Sequence, residues 1–266
     1  MILNNTLGIA FIHIPKCAGS SVKDQLRVLD ETEGRYERSQ PHPVHHRVHR
    51  AHLPLWLMEE LYPEDFKALE RCACFAVLRD PQARFASALA QRIEQFGKRD
   101  PFSLNARELQ HEIDTVMAFL SANPSSPQLE FCHFIPQIDF VDLRGTRFVS
   151  HLYRLEDVPA LMRDIGERAN RSFVTGVKAN QKLDMRFKGL KAPVYAANTL
   201  LKSVLPGQAY AGLKTRATAL LARKGKGPVW EMLHAPEVRD FVAHHYRADF
   251  DLLKTVPIRP KGAGSV

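Results

Sequence analysis

The chain has 266 residues, of which 45% are hydrophobic and 25% charged, and its formal net charge is +8. These proportions exclude a disordered or fibrous chain and suit one large globular domain or two small ones. The four cysteines have no framework or zinc-finger spacing, no charged-then-apolar leader opens the chain, and no apolar run reaches about 18 residues. A reducing, cytoplasmic setting is therefore expected, with peripheral contact with a membrane left open. The positive charge points to anionic partners without choosing among phosphate esters, acidic lipid, nucleic acid and acidic glycan.

Leu7 to Ile14 is apolar and β-branched and reads as a buried strand. A helix should start after Gly19, with Val22, Leu26 and Leu29 on one face and Ser20 or Ser21 as its cap. Residues 31–52 are polar and histidine-rich and read as a loop. Leu53 to Leu69 should be helical, in one or two pieces around Pro63. Cys72 to Leu78 is a second buried strand. Asp80 then caps a helix with Pro81 at its first position, where a missing N–H costs nothing. Leu109, Ile113, Val116 and Leu120 mark the next helix, Phe148 to Tyr153 a third strand, Val158 to Ile165 a short helix, and Pro236 to Leu253 a closing helix. Strands alternating with helices predict an α/β fold with a mostly parallel sheet.

The stretch from Met185 to Trp230 holds nine Lys and Arg residues and no Asp or Glu. Nine charges exceed the net charge of the whole chain, so the remainder is close to neutral. Residues 185–229 thus form a basic insertion or lobe within one domain. It reads either as an amphipathic surface helix for anionic membrane or as a lobe that guides an anionic acceptor.

Two sequence patterns carry chemistry. The first is Ile14-Pro15-Lys16-Cys17-Ala18-Gly19-Ser20-Ser21, a strand followed by a loop of small residues and then a helix. Small side chains let backbone N–H groups approach a phosphate, and the helix N-terminus adds roughly half a positive charge. Lys16 adds a full charge. The same residues also suit an ordinary β–α turn with an exposed lysine. A Walker A loop would end in Gly-Lys-Ser/Thr, whereas here the lysine comes first. The second pattern is Val77-Leu78-Arg79-Asp80-Pro81 with Arg84 and Ser87. Arg79 sits where a strand ends, and open α/β sheets bind ligands at that end.

The two patterns in this order resemble the carbohydrate-type sulfotransferases, which use 3′-phosphoadenosine 5′-phosphosulfate (PAPS). That resemblance implies a P-loop NTPase-like central parallel sheet with helices on both faces. It implies that Lys16, Cys17, Ala18, Gly19, Ser20 and Ser21 hold the 5′-phosphosulfate, and that Arg79 and Ser87 hold the 3′-phosphate. Cys17 and Ala18 stand where the family usually has Thr and Gly. Weaker similarities are Pro136-Gln137, Leu155-Glu156-Asp157 and Tyr246-x-x-Asp249-Phe250. Asn180 and Lys182 fall where family members often place a loop against the nucleotide. The implied reaction is in-line sulfuryl transfer to a hydroxyl or amine of a carbohydrate or glycolipid, with no metal.

Lys16 would stabilise charge on the departing phosphate. A histidine can serve as base near neutral pH. Arg50-Ala51-His52-Leu53 resembles the base step of the 2-O-type glycan sulfotransferases, so His52 is the expected base and His49 the second choice. Glu31 and Glu33 are reserves, and His13 is expected to be structural. A P-loop-type nucleotide kinase or NTP enzyme is the competing class, and it would need a lysine after the glycine and Mg²⁺. The third class is a protein that binds anionic membrane or nucleic acid through the basic segment. No specific nucleic acid is expected as a partner of the enzyme.

Overall fold

A computed structural model describes residues 1–174 and 228–257 of the chain. Four strands form the central sheet in the order β1 (Ile2–Asn4), β2 (Ile9–Ile12), β5 (Ala73–Leu78) and β8 (His151–Arg154). The pair β1/β2 is antiparallel, while β2/β5 and β5/β8 are parallel. Phe75 of β5 sits in register with Phe11 on one side and His151 on the other. Every residue of β2 is buried, and so are Cys74 to Leu78. That explains why both strands read as unbroken apolar runs rather than alternating ones. The expected mixed α/β architecture, a central parallel sheet flanked by helices, is observed.

Strand β2 leads through residues 13–18 into α1 (Gly19–Leu26), whose Val22 and Leu26 face the core. Neither expected serine caps α1. Ala18 is the N-cap residue, in the left-handed region at φ 59°, and no side-chain cap forms. Ser20 and Ser21 lie inside the first turn instead.

The expected loop at 31–52 contains a two-stranded ribbon, β3 (Ser39–His42) and β4 (His46–His49). Strand β3 is an edge of this two-stranded ribbon, so Pro41 costs no ladder bond to a third strand. His42 organises the turn, its Nδ1 accepting from the N–H groups of Val44 (3.2 Å) and His45 (3.1 Å). The helical stretch that follows is in two pieces, α2 (Leu55–Leu61) and α3 (Pro63–Leu69).

Helix α4 (Pro81–Gln95) begins as expected, with the Asp80 side chain accepting from Ala83 N–H at 2.8 Å. Its Phe85, Leu89 and Ile93 pack into a second hydrophobic core with Leu109, Ile113 and Val116 of α5 (Ala106–Ala122). Helix α5 opens with a full capping box between Asn105 and Glu108.

The third parallel strand starts at His151 rather than Phe148. Before it, Asp142–Leu143 (β6) and Thr146–Arg147 (β7) form a second small ribbon, and the N–H groups of Phe148 and Val149 both donate to Val141 O. Helix α6 (Val158–Ala169) follows β8. After residue 227 come α7 (Pro228–Met232), α8 (Pro236–His245) and α9 (Arg247–Thr255). The single closing helix expected from periodicity is therefore two, separated at Tyr246. The Tyr246 hydroxyl is turned inward and donates to Phe134 O at 2.8 Å.

The basic segment 185–229, except for its last two residues, lies outside the described residues, as do Asn180 and Lys182. Among the described residues no helix is long and apolar enough to cross a membrane.

Candidate active site

Parallel pairing of β2 with β5 sends both carboxyl ends to one edge of the sheet. The loop after Ile12 and Arg79 after Leu78 are therefore neighbours. The Arg79 guanidinium donates to Lys16 O at 3.0 Å and lies 5.8 Å over the Trp230 ring. The Lys16 ammonium donates to Gln91 Oε1 of α4 at 2.6 Å. Ser87 shares a helix face with Gln91 and Gln95, at successive four-residue steps, so it belongs to the α4 face that Lys16 meets.

The loop is tightly constrained. Lys16 and Ala18 both have positive φ, 66° and 59°. Gly19 lies against the His13 ring, and a Cβ there would stand 1.8 Å from His13 Cδ2. Only glycine fits between the helix start and that buried imidazole. Gly19→Ala should lower the urea midpoint, costing about 1–3 kcal/mol, the usual range for overpacking a closed site. An unchanged midpoint would contradict this packing.

Cys17 faces the interior. Its thiol donates to Gln137 Oε1 at 3.3 Å, and burial pushes its pKa up to about 12. The residue is thus a packed thiol rather than a reactive one. Any contact it makes with an anion comes from its backbone N–H.

The ribbon positions the histidines. Where β4 ends, His49 caps a 3₁₀ turn, Arg50–His52, and its Nδ1 accepts Ala51 N–H at 3.2 Å. This turn aims His52 at His13, with ring centroids 4.7 Å apart and His52 Nδ1 3.4 Å from His13 O. His49 and His133 flank His52 at 4.9 and 5.1 Å. Segment 128–133 is brought in by Leu129 N–H donating to Arg47 O at 3.0 Å. His52, His49, His13 and His133 line a cleft of about 330 Å³ with Ser20, Lys23, Gln91 and Gln95.

Burial lowers the pKa of His52 well below its ordinary value, and the neighbouring His13, His133 and His49 push the same way. His49 is also lowered, chiefly by burial and then by Lys23. Both imidazoles are therefore neutral at neutral pH, but their tautomers differ. A carbonyl can only accept, so His52 Nδ1 carries the proton toward His13 O and Nε2 keeps the free lone pair. His49 Nδ1 is already an acceptor, so its proton is on Nε2. Of the two, His52 alone offers an unprotonated Nε2.

His42, His45 and His46 lie at the far end of the ribbon and do not line the cleft. Glu31 is committed to the β1–β2 turn, accepting Asn5 N–H at 2.7 Å. Glu33 is exposed and does not line the cleft either. Arg84 is not an anion ligand. It is 1% exposed and donates to the carbonyls of His133 (3.1 Å) and Ile135 (2.9 Å). Among the described residues no group of three or more His, Cys, Asp or Glu is arranged to hold a metal ion.

Sequence reasoning did not find His133 or Gln91. Neither stands in a pattern, and only the ribbon and α4 bring them to the cleft.

The small-residue loop, Lys16 and Arg79 thus stand at the carboxyl edge of the α/β sheet, and Gln91, which Lys16 meets, lines the cleft that holds the neutral His52. A model of the sulfotransferase family matches residues 1–137, just over half of the chain. The chain belongs to the sulfotransferase family. No curated protein and no solved structure matches it.

Proposed function

We propose that this protein transfers a sulfuryl group from PAPS to a hydroxyl, or an amine, of a carbohydrate or glycolipid. The observation that carries the reading is that the Lys16 loop and Arg79 share one sheet edge, and that Gln91, the partner of Lys16, lines the same cleft as His52.

In this reading the backbone of residues 16–19 and the hydroxyls of Ser20 and Ser21 hold the 5′-phosphosulfate. Arg79 and Ser87 hold the 3′-phosphate, and Asn180 and Lys182 are proposed as further nucleotide contacts. His52 Nε2 takes the acceptor proton as the acceptor oxygen or nitrogen attacks sulfur. The bond from sulfur to the bridging oxygen breaks, and its electron pair leaves on 3′-phosphoadenosine 5′-phosphate. Lys16 stabilises that developing charge. His49 is the second candidate for the base, and its tautomer makes it a donor to the acceptor instead. The placement of a histidine just before α2 supports a 2-O-like subtype on a P-loop-like fold. The chain is read as one domain in which 185–229 is a basic lobe for an anionic acceptor or membrane surface.

The test is a calorimetric titration of the full chain with 3′-phosphoadenosine 5′-phosphate, beside an assay of labelled sulfuryl transfer. Saturable nucleotide binding without added metal is expected. No binding at high micromolar nucleotide would overturn the proposal, and metal-dependent ATP turnover would replace it with the kinase reading.

A further inference from the structure

Gln137 and Asp249 are both 0% exposed, and neither touches the cleft. Their polar atoms are nevertheless spent around the phosphate loop. Beyond Leu78 the sheet ends, so the backbone of Arg79 has no ladder partner. The Gln137 carboxamide takes the place of the missing strand. Its Oε1 accepts Arg79 N–H at 2.9 Å, and its Nε2 donates to Arg79 O at 2.9 Å. This orientation is forced, because the backbone N–H can only donate and the carbonyl can only accept. The same Oε1 takes the Cys17 thiol at 3.3 Å. One side chain thus ties the phosphate loop to the arginine.

The carboxamide is itself held from 112 residues away. Asp249 Oδ2 accepts Gln137 N–H at 2.9 Å and Gln137 Nε2–H at 3.4 Å, while Oδ1 accepts Ile138 N–H at 2.9 Å. The Arg84 guanidinium stands 3.7 Å from Asp249 Oδ2. A buried pair of this kind adds little net stability over an apolar core of the same shape. Its geometric specificity is therefore the more informative property.

We propose that Gln137 is a positioning residue for the nucleotide. Its carboxamide sets the separation between loop 15–18 and the Arg79 guanidinium, and Asp249 on α9 holds that carboxamide in place. The inference rests on the donor reading above. Gln137 touches no reacting atom, so it acts through Arg79 and Cys17.

The experiment uses the full chain and its Gln137→Ala, Gln137→Met and Asp249→Asn variants. Gln137→Met keeps the volume and is read if Gln137→Ala does not fold. Each folded variant should raise the Kd for 3′-phosphoadenosine 5′-phosphate and the donor KM by about tenfold or more, the effect of losing one well-placed interaction. Acceptor KM should stay within about twofold. A merely structural role would lower Tm and the active fraction but leave donor KM unchanged, and that outcome overturns the inference while sparing the donor reading. A wild-type chain that binds no nucleotide overturns both.

Discussion

His52→Ala is expected to lower turnover by about two orders of magnitude or more, the usual contribution of a positioned base. The acceptor still binds, so the loss appears in kcat more than in acceptor KM. His49→Ala has a smaller effect, because the neutral His49 imidazole carries its proton on Nε2. The pH profile gives an independent reading. A base works only when neutral, and burial lowers the His52 pKa below its ordinary value of about 6.5. The wild-type kcat/KM should therefore stay level as pH falls through 6.5 and decline only at lower pH. The three neighbouring histidines, His13, His133 and His49, act in the same direction because any of them that carries charge disfavours a second one. Wild-type turnover in His52→Ala, or an acid limb centred above pH 6.5, would remove His52 from the mechanism.

Lys16→Ala is expected to be as damaging, with a different signature. In the proposed reaction the ammonium stabilises the negative charge that develops as the sulfuryl group leaves, so its removal should cost about 10²–10³ in kcat, as for other single charge-stabilising donors. Nucleotide affinity falls less, because the backbone of the loop remains. Lys16→Arg should recover little. The side chain is held at 2.6 Å by Gln91, and a planar guanidinium does not replace a compact ammonium there. Comparing kcat with the Kd for 3′-phosphoadenosine 5′-phosphate separates the two roles. Equal losses in both would make Lys16 a binding residue alone.

The parallel strands and the amphipathic helices were legible because their signals are local. Ile9 to Ile12 and Cys74 to Leu78 are buried on both faces and read as continuous apolar runs. The Asp80-Pro81 start of α4 carries its own cap chemistry. The β3/β4 ribbon was illegible because neither strand has an apolar alternation, and Val48 alone of β4 is buried. Pro41 and Pro43 then weighed toward loop. The candidate site residues, at the sheet edge and in the cleft, divide along the same line. Lys16, Arg79 and Ser87 stand in motifs whose spacing survives in one dimension. His133 reaches the cleft only because Leu129 is bonded to Arg47 in the ribbon. Arg84 sits in the second motif beside true anion candidates, and only its burial shows that it serves the interior.

The bond from Asp249 to Gln137 also concerns the order in which the protein is made. The Lys16 loop precedes Arg79 in the chain by some sixty residues. Asp249 is translated 112 residues after the glutamine it holds. On the proposal above, the nascent chain carries the proposed anion-binding groups before their spacing is set. On that proposal the site geometry is a late event in the life of the polypeptide, reached when α9 docks and Asp249 meets Gln137.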